Sequence, residues 1–173
     1  MDLAALIRNV PDFPKPGIQF KDITTLLLAP DAFREIIDQW KARYAGQRID
    51  AIAGIESRGF IFGAALAYAM GLPFVLIRKK GKLPAETIEE SFALEYGTDT
   101  VEIHVDALKQ GQRVVILDDL LATGGTVEAA ARLVRRLGAE IVEAAFVVEL
   151  PPLKGREKLA DMPVHSLVEF MVD

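Results

Sequence analysis

Apolar and polar positions along the chain follow two alternating rhythms. Nearly continuous apolar runs of strand length occur at Ala51 to Ile55, Phe74 to Ile77, Val114 to Leu117 and Ile141 to Val148. Between them, apolar residues recur at helical spacing over Phe60 to Met70 and over Val127 to Leu137, the latter closed by Gly138. Ahead of the first strand, Phe33, Ile36, Ile37 and Trp40 predict a helix from about Ala32 to Tyr44, with Asp31 as N-cap and Gly46 as the stop. Strands that are apolar on both faces and alternate with helices belong to a parallel sheet covered on both sides. The pattern therefore predicts an α/β fold. It is a single domain over residues 1–173, a mostly parallel twisted sheet flanked by helices, with ligands at the carboxyl ends of the strands.

Two regions depart from this rhythm. Residues 2–10 read as a short amphipathic helix, and Val10 to Gly17 carries Pro11, Pro14 and Pro16, which make it extended and stiff. From Arg78 to Thr100 no core-type pattern is visible. Arg78-Lys79-Lys80-Gly81-Lys82 is basic and Glu86 to Glu95 is polar and acidic, so this stretch reads as a functional lid or a loop. Thr100 to His104 then alternates as a strand does. Phe60 to Ile77 is free of charge, but Gly71-Leu72-Pro73 interrupts it, so it reads as a buried helix, a turn and a strand, not a membrane span.

Composition narrows the chemistry. The 173 residues include no Cys, which removes disulfides, thiolate metal sites and cysteine nucleophiles. With His104 and His165 as the only histidines, a His-based zinc site or serine-type triad has little to work with. No metal-ligating set is assigned to the chain. Twenty basic against 25 acidic side chains give a net charge of −5, which argues against nucleic acid or an anionic membrane as partner. Met1-Asp2-Leu3 lacks the basic and apolar regions of a signal peptide, so the cytoplasm is the expected location.

The most informative segment runs from Arg113 to Thr126. An apolar strand delivers Asp118 and Asp119 to its carboxyl end, Leu120 and Leu121 follow, and Ala122-Thr123-Gly124-Gly125-Thr126 leads into a helix. Small and hydroxylated residues at a helix N-terminus suit a phosphate, since the backbone amides there are free and the helix dipole is favourable. Adjacent carboxylates repel that same phosphate. They suit the next part of a ligand, sugar hydroxyls or metal-bound water. A sugar phosphate satisfies both halves; a strand turn with an acidic N-cap is the plain structural alternative. Neither a P-loop nor a dinucleotide-binding glycine pattern is present.

This run resembles the phosphoribosyl-diphosphate (PRPP) motif of type I phosphoribosyltransferases. Three further segments make the chain similar to the adenine-specific branch of that family over residues 2 to 171: Phe13 to Asp22, Glu56-Ser57-Arg58-Gly59-Phe60 and Leu94-Glu95-Tyr96-Gly97. The resemblance implies a flexible lid hairpin at about 80–100 and a small N-terminal hood. It implies that Ala122, Thr123, Gly124, Gly125 and Thr126 hold the 5′-phosphate of PRPP and of AMP, and that Asp118 and Asp119 hold the ribose hydroxyls. Glu56, Ser57 and Arg58 resemble the diphosphate loop, which carries a strained or cis peptide in the family, and Arg78, Lys79 and Lys82 the basic cluster that meets diphosphate. Ile18, Phe20 and Lys21 fall where the family binds adenine, Lys21 standing where relatives often carry Arg. Glu95 matches the catalytic segment, with Tyr96 beside it in the lid. Ala122 stands where the 6-oxopurine enzymes carry Asp.

The implied reaction is purine salvage: adenine and PRPP give AMP and diphosphate, with Mg²⁺ bound mainly through the diphosphate and a homodimer as the assembly. Simpler readings stay open for single residues. Phe20 is otherwise a core aromatic, the basic cluster a solvated patch and Glu95 one of several solvated acids. At the level of the whole chain, the alternatives are a phosphoribosyltransferase for xanthine or orotate and a non-catalytic PRPP-sensing regulator. The latter normally carries a DNA-binding segment, of which residues 1–50 show no pattern.

Overall fold

In the computed structural model, which describes residues 1–171, the N-terminus is not the expected helix. After one 3-10 turn at Ala4–Leu6 the chain extends as β1 (Arg8–Pro11), antiparallel to β2 (Gln19–Asp22). Pro11 disfavours the helical region for Val10, and only Leu3 and Ile7 of this segment are buried. An Arg8–Asp22 ion pair of 2.6 Å crosses the hairpin. A single turn, α1 (Thr24–Leu27), leads to α2 (Pro30–Tyr44). Ala29, not Asp31, occupies the N-cap of α2; Pro30 takes the first helical position, and Asp31 lies in the first turn, where its charge complements the dipole.

The alternating core then follows the apolar runs: β3 (Ala51–Ile55), α3 (Arg58–Met70), β4 (Phe74–Lys79), β5 (Thr87–Ala93), β6 (Thr98–His104), β7 (Arg113–Leu121), α4 (Gly125–Arg136), β8 (Glu140–Glu149), α5 (Gly155–Lys158) and β9 (Val164–Glu169). The sheet order is β5-β6-β4-β3-β7-β8-β9. β4, β3, β7, β8 and β9 run parallel, whereas β6 joins β4 and β5 antiparallel. Successive strand residues face opposite layers. Ala53, Val114, Ile116 and Phe146 pack towards α4, while Ile52, Val115, Leu117 and Val147 pack towards α2 and α3. Burial on both faces is what made these strands visible as continuous apolar runs.

Two strands of the seven-stranded sheet escaped the pattern. β9 is a sheet edge with polar Ser166 and Glu169, so it carries no apolar run. β5 occupies much of the segment expected to lack core contacts, and is paired with β6 from Thr87 to Ala93. Ile88 and Phe92 pack on the core, but Glu90 between them meets Arg132 at 3.2 Å, and this ion pair breaks the alternation in sequence. A hairpin does stand in the lid region, with Leu94–Gly97 as its turn, closed by Leu94 N–H donating to the Gly97 carbonyl at 2.9 Å.

Candidate active site

β3 and β7 are neighbours in the parallel sheet, with Gly54 opposite Leu117. Beyond that pair β3 turns away through Glu56 and Ser57 into α3, while β7 continues beside β8 to Leu121. Asp118 and Asp119 therefore lie on a strand whose neighbour has just ended, and a crevice opens above them. The approach is close: a Cβ on Gly59 would stand 2.9 Å from Asp118 Oδ1 and 3.0 Å from the Leu117 carbonyl oxygen, so glycine lets α3 start against β7.

Arg58 Nε donates to Asp119 Oδ2 at 2.6 Å, and the Asp119 amide donates to Asp118 Oδ1 at 2.8 Å. Burial, reinforced by the neighbouring Asp119 charge, pushes the Asp118 carboxyl well above the ordinary carboxylate range. The Glu56–Ser57 peptide is cis. Glu56 accepts from Arg78 Nε at 3.1 Å and from the Lys79 amide at 2.8 Å, and Lys79 Nζ lies 3.5 Å from Asp99. Glu56, Ser57, Arg58, Lys79, Asp118, Asp119 and Thr126 line a cleft of about 440 Å³, with Phe92, Leu94 and Asp99 added from the β5–β6 hairpin.

Next to it, residues 120–127 and Asp118 enclose a smaller hollow of about 90 Å³. Ala122, Thr123, Gly124, Gly125 and Thr126 all face it, at the N-terminus of a twelve-residue helix with no side-chain cap, so its first amides are free to meet an anion. Gly124 has φ +88°, and a Cβ on it would lie 2.7 Å from the Gly155 carbonyl oxygen. Gly155 in turn presses on the loop, since its own Cβ would meet the Ala122 carbonyl oxygen at 2.5 Å.

The remaining expected residues stand around this centre. Phe20 is half-buried, with the Arg58 guanidinium 5.8 Å from its ring centroid, so it is not a core aromatic; Ile18 is exposed beside it. The Lys21 ammonium donates to Asn9 at 2.7 Å and lies over the Phe170 ring. Glu95 and Tyr96 occupy the exposed hairpin turn, and Lys15 Nζ sits 5.9 Å from the Tyr96 ring, linking that turn to the hood. Lys82 is exposed and does not line the cleft; Arg78 is spent on Glu56. Phe92, Asp99 and Gly155 were not picked out from the sequence. The Ile88/Phe92 alternation was the available signal for the first, and for Gly155 there was none. Among the described residues, no three His, Asp or Glu side chains converge as a metal cage.

Residues 21–168 match the phosphoribosyl transferase domain family. The adenine phosphoribosyltransferase of Chloroflexus aurantiacus is 59% identical over 98% of both chains. Among solved structures, the adenine phosphoribosyltransferase of Thermoanaerobacter pseudethanolicus superposes with a TM-score of 0.94 at 51% identity, covering 98% of both chains. That of Trypanosoma brucei, determined with AMP, pyrophosphate and ribose-5-phosphate, gives a TM-score of 0.90 at 30% identity over 96% of this chain and 77% of its own. A carboxylate pair beside a phosphate-sized hollow and likeness along almost the full length agree, and the chain belongs to the adenine phosphoribosyltransferase family.

Proposed function

We propose that this chain transfers the 5-phosphoribosyl group of PRPP to N9 of adenine, giving AMP and diphosphate. The observation that carries the reading is the run of adjoining subsites at the ends of β3 and β7: an amide-lined hollow, then two carboxylates, then Arg58 and Lys79. A phosphate, a ribose and a diphosphate follow one another in PRPP in the same order. The loop Ala122 to Thr126 takes the 5′-phosphate, and Asp118 and Asp119 accept from the ribose hydroxyls. Ser57, Arg58 and Lys79 face the diphosphate, with Glu56 holding Arg78 and the Lys79 backbone in register. Lys82 reaches the diphosphate only from the exposed turn.

As the bond from C1′ to diphosphate breaks, the sugar becomes cation-like and charge builds on the leaving group. Arg58, within reach of both Asp119 and the cleft, answers that charge. Mg²⁺ brought in with the diphosphate of PRPP would supply charge neutralisation there. The carboxylates of the cleft fit this, because Glu56, Asp119 and Asp99 are each paired to a cation and none of them forms part of a cage. Adenine stacks near Phe20 and Ile18, its edge read by the main chain at Ile18 and Lys21, since the Lys21 side chain is engaged elsewhere. Exposed Leu28, which follows α1, and exposed Ile61 and Tyr68 on α3 support a homodimer. The absence of Cys is consistent with the cytoplasm.

Formation of labelled AMP from ¹⁴C-adenine, PRPP and Mg²⁺, with little product from hypoxanthine, guanine, xanthine or orotate, tests the assignment; the reverse preference overturns it. Glu95 is the residue proposed to act on adenine, hydrogen-bonding at N7 as N9 bonds to C1′. Glu95→Gln should lower kcat about tenfold or more with little change in PRPP affinity. Glu89→Gln, an exposed acid on the same hairpin, should leave both nearly unchanged. Parental turnover in both variants removes Glu95 from the mechanism.

A further inference from the structure

We infer that Arg132 and Arg136 of α4 are positioning residues for the transfer, holding the β5–β6 hairpin against the helix that carries the phosphate loop. β5 is the edge of the sheet, so the carbonyls on its outer side have no strand to accept from. Two of them are met from α4. Arg132 Nη2 donates to the Ser91 carbonyl at 2.9 Å, and Arg136 Nη1 donates to the Glu89 carbonyl at 2.8 Å. The match is geometric: four residues of helix rise about 6 Å, and alternate strand residues, whose carbonyls point the same way, stand about 6.8 Å apart. Both guanidinium groups also flank Glu90, Arg132 at 3.2 Å and Arg136 at 3.6 Å, and Arg132 meets Glu128 on its own helix. Arg135, between them in sequence, points elsewhere and pairs with Asp161 at 2.7 Å.

The clamp leads directly into the cleft. Phe92 follows the held Ser91, packs on the core and lines the cleft, and its ring edge lies 3.2 Å from the position of a Cβ on Gly125, the first residue of α4. One helix thus bears the phosphate loop at its N-terminus and, two turns on, grips the strand that leads into the turn of Leu94, Glu95 and Tyr96. The base of the lid is fastened by α4, which leaves the turn to move. This inference rests on the proposed phosphoribosyl transfer, in which the turn acts at the chemical step while the hollow and the carboxylate pair bind PRPP.

The double variant R132M/R136M tests it, beside R132K/R136K, which restores a donor at each position, and R135M as control. Hydrogen–deuterium exchange of ligand-free protein over residues 87–97 should quicken about tenfold in the Met variant and stay at parental rates in R135M. Its kcat with adenine should fall about tenfold, with KM for PRPP within about threefold of the parent, and the Lys variant should recover most of both losses. If the double variant does not fold, R136M alone, which removes one carbonyl contact and a long ion pair, gives the same comparison. Unchanged exchange overturns the clamp, and faster exchange with unchanged kcat overturns its part in the transfer. A parent that makes no AMP overturns the proposed function instead, and the exchange measurement still decides the clamp.

Discussion

Asp118→Asn should make the ligand-free protein more stable at pH 8 and a poorer enzyme at the same pH. The Asp118 carboxyl is raised above its ordinary value by burial and by Asp119 next to it, so folding favours its protonated form. A group raised in this way contributes stability that is fully present below its unfolded value, near 4, and is lost as pH rises through the folded value. The amide of Asn imitates the protonated acid, and its oxygen still accepts from the Asp119 amide, as Asp118 Oδ1 does at 2.8 Å. The unfolding temperature of the variant should therefore exceed that of the parent at pH 8, the difference closing below about pH 4. A neutral amide accepts more weakly from a ribose hydroxyl, so kcat/KM for PRPP should drop about tenfold or more, about 1.4 kcal/mol of transition-state binding. Asp119→Asn should lose activity similarly but without the stability gain, because it replaces the charged 2.6 Å partner of the Arg58 guanidinium with a neutral acceptor. An Asp118→Asn protein that is fully active and less stable at pH 8 means the pair serves the fold and not the ribose.

Gly124→Ala should weaken AMP binding at least about tenfold, whereas Gly125→Ala should change it by less than about threefold. In the sequence the two adjacent glycines look equivalent. Only Gly124 has positive φ, at +88°, where a Cβ costs about 1 kcal/mol in conformation alone. That Cβ would also stand 2.7 Å from the Gly155 carbonyl oxygen, a backbone atom that cannot swing aside. Either the loop or the segment beneath it must shift, and the amides facing the 90 Å³ hollow move with it. On Gly125 a Cβ meets only the Phe92 ring edge at 3.2 Å, a contact that a few tenths of an ångström relieves. Calorimetric titration with AMP reads both variants, with far-UV circular dichroism as the check on folding. Equal affinities for the two would remove the backbone argument.

How much of this was legible in the amino-acid order depends on distance along the chain. The central strands are apolar on both faces, so β3 was placed residue for residue and β4, β7 and β8 to within a few residues at each end. The hollow and the carboxylate pair come from one contiguous stretch, residues 118–127, and local order was enough to assemble them on paper. Short-range competition was harder to judge: Asp31 and Ala29 both precede the α2 pattern, and Pro30 at the first helical position decided for Ala29. Pro11 likewise keeps Val10 out of the helical region, so the expected helix of residues 2–10 shrinks to one 3-10 turn and β1 begins at Arg8.

What crosses the fold was not legible. Arg58 and Asp119 are 61 residues apart and meet because a parallel sheet sets β3 beside β7. Gly155 supports the Ala122–Thr126 loop from a segment that follows β8, and nothing in its own neighbourhood marks it. β5 reads as a polar lid because Glu90 sits among its inward positions, and its partners, Arg132 and Arg136, lie on a helix three elements later. Burial periodicity is a property of one element against a generic interior, so the chain order carries it. Ion pairs, close backbone approach and the capping of an edge strand depend on which elements become neighbours, and for those the tertiary arrangement alone was decisive.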